Sequence, residues 1–510
     1  MPPLRRILGG AILVLWLVVV GWHVRREYFR PQAELMAAGA RGLGPGSYFY
    51  TIKMNGSAIG LASSRLDTLP DGFVFEDLMT LDVPALDAFH RATVRTRMEL
   101  GRSLATRSFA FELRSEVGSF EVTGSPEGDS LVLQVRAGDT APTRIAVRAD
   151  AVMGAALPLR LAASGRLRVG EELEASIFDP SVLEHRSVRL RVLAHDTILV
   201  PDSAHYDFRS RRWETVTFDT VPAWRVEEAF GGVAVDTWLD GDGRVIRAES
   251  PLGFAMERTA YEHARADWER ARGQPRLASG YGAIIESTAI ASDVPLERGQ
   301  GEDSLAVRLV GVELAGFDLA GGRQRLSGDT LRIRREDLRS LEPGYALPWS
   351  GGGEPAAELA ATPLIQSGDP RIIDQARRIA GGSTDPAVVA RRLSEWVYAE
   401  LDKVITLSVP SALQVLEARQ GDCNEHTVLY VALARALGLP ARTAVGLVHL
   451  RGRFYYHAWP EVWLDGRWVA VDPTLGQVPA DAGHLRFVVG GLARQVELIR
   501  LIGRLRLEVV

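Results

Sequence analysis

One cysteine stands among the 510 residues, Cys423, within Gly421-Asp422-Cys423-Asn424-Glu425-His426. A thiol attacks as its anion, and that anion is favoured at a helix start, where unpaired N–H groups and the macrodipole point at it. Asp422 with Glu425 three residues on reads as a capping box, and Leu429, Leu433, Ala436 and Leu437 form an apolar stripe. Gly438 and Pro440 end it. The spacing predicts a helix carrying Cys423 in its first turn. Asp422 opposes ionisation of the thiol, so a nucleophilic Cys423 needs a partner base. Without one, a lone cysteine is a small buried hydrophobe.

A base is offered by Phe454–Leu464, which alternates as a strand, turns at Asp465-Gly466 and returns as Arg467–Asp472. In that register Leu464 faces Arg467, Trp463 faces Trp468, and Trp459 faces Asp472. His457 then shares a sheet face with Asp472, displaced by two residues, within reach of a hydrogen bond. Pro460 has no N–H to give to the ladder and predicts a break there. The chemistry this pattern could perform is acyl transfer through a thioester. Cys423 would be the nucleophile, His457 the base and Asp472 the acid that orients it. His426, in the cysteine helix, and His449, on the preceding strand, are competing bases. Trp459 and Trp463 read as core or cleft-wall aromatics.

The elements that must position these residues occupy the C-terminal part. Ser350-Gly351-Gly352-Gly353 reads as a linker, and beyond it Asp369-Pro370 and Asp385-Pro386 each start a helix. Ser411 with Gln414 reads as a capping box for a third, and Leu501–Val510 as a closing strand. From residue 45 to 272 the texture is antiparallel strand and tight turn, beginning with the hairpin signal Asn55-Gly56. Asp240-Gly241-Asp242-Gly243 lacks the further ligands of a calcium loop and reads as a turn. His185, His195 and His205 lie ten residues apart, which is no metal-ligand spacing. Residues 273–349 are strand-rich with no clear assignment, and 356–510 form the helix-containing unit.

Gly421-Asp422-Cys423, His457-Ala458-Trp459-Pro460-Glu461-Val462-Trp463 and Asp472-Pro473-Thr474 together resemble the three motifs of transglutaminase-like domains. The resemblance spans about Thr362 to Gly490 and is nearest to bacterial members, since Asn424 stands where animal enzymes carry Trp. It implies a papain-like α+β fold with catalytic Cys423, His457 and Asp472, and no metal or cofactor. The main reading is a cysteine hydrolase acting on a peptide or amide bond. The alternatives are transfer of a glutamine acyl group to an amine, or a non-catalytic binding module with the strand-rich region as its interaction surface.

Ile7–Val24 is an uncharged run of 18 residues behind Arg5 and Arg6. It is long enough to span a bilayer and lacks a nearby cleavage pattern. Residues 1–30 are therefore expected to be a single-pass membrane anchor, with the body extracytoplasmic. A net charge of −5 leaves no electrostatic footprint for nucleic acid. The expected partners are a protein or peptide substrate and the membrane.

Overall fold

The computed structural model describes residues 32–510, except 86–87, 117, 139, 149–151, 252, 273–288, 292, 294–302, 338–343 and 407. Asn55 and Gly56 both take positive φ, 48° and 81°, as a two-residue hairpin requires, and join Gly46–Met54 to Ser57–Leu69. From there the chain meanders, strand beside strand, to Thr143–Arg148. Gly46–Met54 pairs on its other side with Phe254–Thr259, from which the later strands run back towards Val152–Met153. The result is one 15-stranded sheet. Its two arms curl together: Phe109 of one and Phe178 of the other have ring centroids 6.4 Å apart.

A short helix, Leu157–Ala163, lies inside this curl and is apolar on both sides because both are covered. Leu159 and Ala163 join the core of the first arm, whereas Leu157 and Leu161 join Val188, Leu190 and Val226 of the second. Asp240 accepts from the N–H groups of Asp242 and Arg244, so the Asp/Gly cluster is a turn.

In the C-terminal part, Asp369 and Asp385 cap Pro370–Ala380 and Pro386–Glu400 through their side chains. Ser411 does not cap Ala412–Ala418. Its hydroxyl accepts from Gln366 at 2.9 Å, and Gln414 reaches across to the Ser119 carbonyl at 2.8 Å, tying this helix to the large sheet. The helices pack one face of a sheet built from Arg453–Leu464, Ala441–Leu450 and His484–Val489. The other face is covered by Ser304–Val310, Gln324–Ser327, Thr330–Arg334 and the closing strand Arg506–Val509. The unassigned segment therefore folds onto the C-terminal sheet, where Arg323 donates to the carbonyls of Ala480 and Asp481 at 2.8 and 2.7 Å.

Among the described residues no helix is long and apolar enough to cross a membrane. The structure therefore lends no support to the expected N-terminal transmembrane helix, or to the single-pass anchoring and localisation built on it. The run Ile7–Val24 itself lies outside the described residues.

Candidate functional site

Cys423 opens the helix Cys423–Ala436. The Asp422 side chain accepts the Asn424 N–H at 2.8 Å, and Glu425 accepts the Asp422 N–H at 3.0 Å. The capping box that fixes the cysteine also works against its ionisation. Burial pushes the thiol well above its ordinary pKa, Asp422 adds to the rise, and the Ala458 N–H lowers it only in part. Burial, and after it the acids that make this helix start stable, outweigh the dipole that would have favoured thiolate.

His457 lies on Arg453–Leu464, paired with Arg467–Ala470 in the register Leu464 to Arg467 and Trp463 to Trp468. The ladder stops after Glu461 and Ala470, where Pro460 contributes only its carbonyl, accepting the Val471 N–H at 3.0 Å. Asp472 follows, fully buried, and its Oδ2 accepts from Nε2 of His457 at 2.7 Å. A second imidazole shares that oxygen: Nε2 of His484 donates to it at 2.9 Å, and Nδ1 of His484 meets Asp481 Oδ1 at 2.9 Å. Asp472 Oδ1 accepts the N–H groups of Thr474 and Leu475 at 2.8 and 3.0 Å.

Four donors converge on Asp472, which is therefore a carboxylate. Burial alone would raise its pKa, but His457 and His484 overcome burial and hold it well below the usual range. His484 faces carboxylates at both nitrogens and so donates from both, as an imidazolium. Burial acts to lower its pKa and is outweighed by Asp472 and Asp481.

These contacts correct the triad reading. The hydrogen-bonded constellation is His457–Asp472–His484, with donor atoms within 4.8 Å of one another, and Cys423 is not a member. No hydrogen bond among the described residues joins Cys423 to His457. With the thiol held protonated and Asp472 shared between two imidazoles, a papain-like Cys-His-Asp triad is not supported. Neither is the cysteine hydrolase or acyltransferase built on a thioester. Two imidazole nitrogens and a carboxylate also form a metal-type donor set. Here N–H···O bonds of 2.7 and 2.9 Å span the space between them, and His484 carries a proton where a metal would need a lone pair. The arrangement fits a hydrogen-bonded network.

The remaining candidates pack around it. His426 is buried, with Nδ1 on the Asp422 carbonyl at 2.7 Å, and burial lowers its pKa. His449 lies against Phe454 with ring centroids 5.1 Å apart. Trp459 is stacked on His457 and edge-on to His484, as core. Trp463 packs on Trp468 and Trp349. Glu461, from the same motif, is buried between Arg442 and Arg486, at 2.9 and 2.8 Å. His484 escaped the sequence reading because its strand joins Ala441–Leu450 on the far side from the His457 strand. Its only local signal is Asp481 three residues earlier.

Residues 373–473 match the model of the transglutaminase-like superfamily, so a transglutaminase-like domain is present there. No curated protein matches the chain. Among solved structures, a candidate cysteine protease from Cytophaga hutchinsonii is 17% identical over 41% of this chain and 81% of its own, with a TM-score of 0.28. A β-barrel-like protein of the DUF1849 domain from Brucella abortus is 12% identical over 42% of this chain and 95% of its own, with a TM-score of 0.31. The periplasmic domain of TgpA from Pseudomonas aeruginosa, bound to ethylmercury, is 18% identical over 36% of this chain and 76% of its own, with a TM-score of 0.24. At these scores none of them bears on what this chain does.

Proposed function

We propose that the chain is a non-catalytic protein-binding protein: a transglutaminase-like module joined to a strand-rich unit that presents the interaction surface. The observation that carries this reading is the hairpin of Glu184–Asp207 and Arg212–Phe230. Beyond Asp196 and Ala223 its two strands pair only with each other among the described residues. Its outer half exposes Leu199 (64%), Phe208 (84%), Val216 (57%) and Phe218 (56%). Tyr206 packs edge-on against both Phe208 and Trp213 at the tip, beside exposed Arg209, Arg211 and Arg212. Rigid aromatic anchors edged by arginine are the composition of protein-binding hot spots.

Within this proposal residues 45–272 are the binding unit, and 356–510 are the transglutaminase-like unit, with 273–349 as its cover. Residues 423, 457 and 472 support the transglutaminase-like unit from within rather than break bonds, and recognition falls to the hairpin. Cys423 stays a thiol beside the Ala458 N–H, and Asp472 holds His457 in a single orientation.

The test is a photo-crosslinking residue at Phe208 of the full chain in its native cells. A protein adduct, identified, purified and shown to bind wild type but not Phe208→Ser/Trp213→Ser, is the expected result. Adducts confined to lipid, or binding unchanged in the double variant, would overturn it. The alternative of acyl chemistry is checked with a glutamine-containing acceptor and a labelled amine. Turnover that disappears in Cys423→Ala would also sink the proposal.

A further inference from the structure

The two strands of the projecting hairpin differ in how their outer edges are defended. Glu184–Asp207 pairs with Glu172–Asp179 only as far as Arg191, and Arg212–Phe230 pairs with Val233–Leu239 only from Trp224 onward. The first strand blunts the edge this leaves. Pro201 has no N–H to offer, and Leu193 and Asp202 are extra residues that bulge its ladder. The second strand is open from Arg212 to Pro222, about 36 Å of chain at 3.3 Å per residue. Among the described residues no backbone hydrogen bond leaves its outer edge. The only extra residue on this side is Val216, and the proline comes last.

A two-stranded ribbon is marginal in water, and an open edge of β-branched and aromatic residues is a template for another strand. This edge is complementary to itself. Turned about a two-fold axis at Thr217, it meets a second copy along its whole free length, Arg212 opposite Pro222. Thr217 then faces its own counterpart, Val216 faces Phe218, Thr215 faces Asp219, Glu214 faces Thr220 and Trp213 faces Val221. Apolar residues face apolar ones, polar face polar, and no two like charges are opposed, which are the pairings that stabilise a ladder. An axis at Asp219 would instead oppose two carboxylates. A ladder of this length makes about ten hydrogen bonds, the number typical of a whole protein interface.

We propose that Arg212–Pro222 pairs antiparallel with the same strand of a second copy of the chain, so that two hairpins join into one four-stranded ribbon. Val216 and Phe218, at 57% and 56% exposure, cover each other across the axis. The inference rests on the reading of the hairpin as an interaction surface and names the partner of its edge. The aromatic tip at Phe208 lies outside the paired length.

Sedimentation of the full chain at about 50 µM, where a pair of micromolar Kd is mostly assembled, should show a dimer. Thr217→Lys sets two like charges opposite each other and should weaken that dimer at least tenfold. In a Cys423→Ala background, Thr217→Cys should form an intermolecular disulfide on mild oxidation, since opposed Cα atoms lie about 4.5–5.5 Å apart. Thr220→Cys should not, because its two copies would lie about 20 Å apart along the strands. A monomer at that concentration, a dimer that Thr217→Lys leaves unchanged, or Thr220→Cys crosslinking as readily as Thr217→Cys would overturn the proposal. Should Thr217→Lys not fold, the two cysteine variants decide alone. A monomeric chain that still yields a protein adduct at Phe208 overturns this inference and leaves the wider reading in place. Lipid-only adducts at Phe208 beside the Thr217→Cys crosslink would remove the tip from the wider reading and leave this pairing standing.

Discussion

His484 donates to Asp472 Oδ2 at 2.9 Å, the same oxygen that receives His457 at 2.7 Å. One carboxylate thus fixes two imidazoles, and one imidazole bridges two buried carboxylates, Asp472 and Asp481. His484 thus sets its positive charge between two buried negative ones.

His484→Gln should therefore cost far more than a lost hydrogen bond. It removes the positive charge that compensates two buried acids, and breaking a buried pair in this way costs about 3–5 kcal/mol. Urea unfolding of the variant is the measurement; a loss below about 1 kcal/mol would show that the cluster does not depend on His484.

The same cluster sets a pH dependence whose sign follows from its protonation. His484 has a folded pKa above its unfolded value of about 6.5. Its stabilisation is fully present below that value and is lost as pH rises through the folded pKa. Asp472, depressed in the fold, contributes above about 3.9, and its contribution is lost as pH falls through the folded pKa. Unfolding free energy should decline on the alkaline side of pH 6.5 in wild type and stay flatter there in His484→Gln. Parallel curves would refute the imidazolium assignment.

Cys423 should alkylate more slowly than a free thiol at pH 7 to 8, because burial and Asp422 keep it protonated. It is the only cysteine, so iodoacetamide incorporation reads this one group. A rate above that of a free thiol would restore the activated nucleophile.

Two aromatic replacements should separate support from recognition. Trp459→Ala, at 1% exposure, should cost about 3–5 kcal/mol in unfolding. Phe208→Ser, at 84% exposure, should stay within about 0.5 kcal/mol. A large loss from Phe208→Ser would mean that the tip packs on the chain itself.

What was legible in the sequence was local. Asn55-Gly56 and Asp465-Gly466 specify their hairpins because both residues of each turn must take positive φ. Asp369, Asp385 and Asp422 mark helix starts because a short carboxylate reaches the first free N–H groups. The hidden part was non-local. Ser411 met the pattern of a cap, but Gln366 and Ser119 took up the hydrogen bonds that would have formed it. Period-2 alternation could place His457 beside Asp472 across one turn. It could not place His484, whose strand pairs with Ala441–Leu450 instead. Nor could the helix-start argument weigh the dipole at Cys423 against the low-dielectric surroundings that the fold brings to it.

Two strand pairings join parts of the chain some 200 residues apart: Gly46–Met54 with Phe254–Thr259, and Ser304–Val310 with Arg506–Val509. At about 5–20 residues per second of synthesis, each earlier strand waits on the order of 10–40 seconds for its partner to emerge. For that interval Gly46–Met54 is the open margin of a half-built sheet, its N–H and C=O groups available to any other extended chain. The finished molecule closes this margin, but a ribosome producing it does not, and crowding of nascent chains is the stage at which this architecture is most exposed to mispairing.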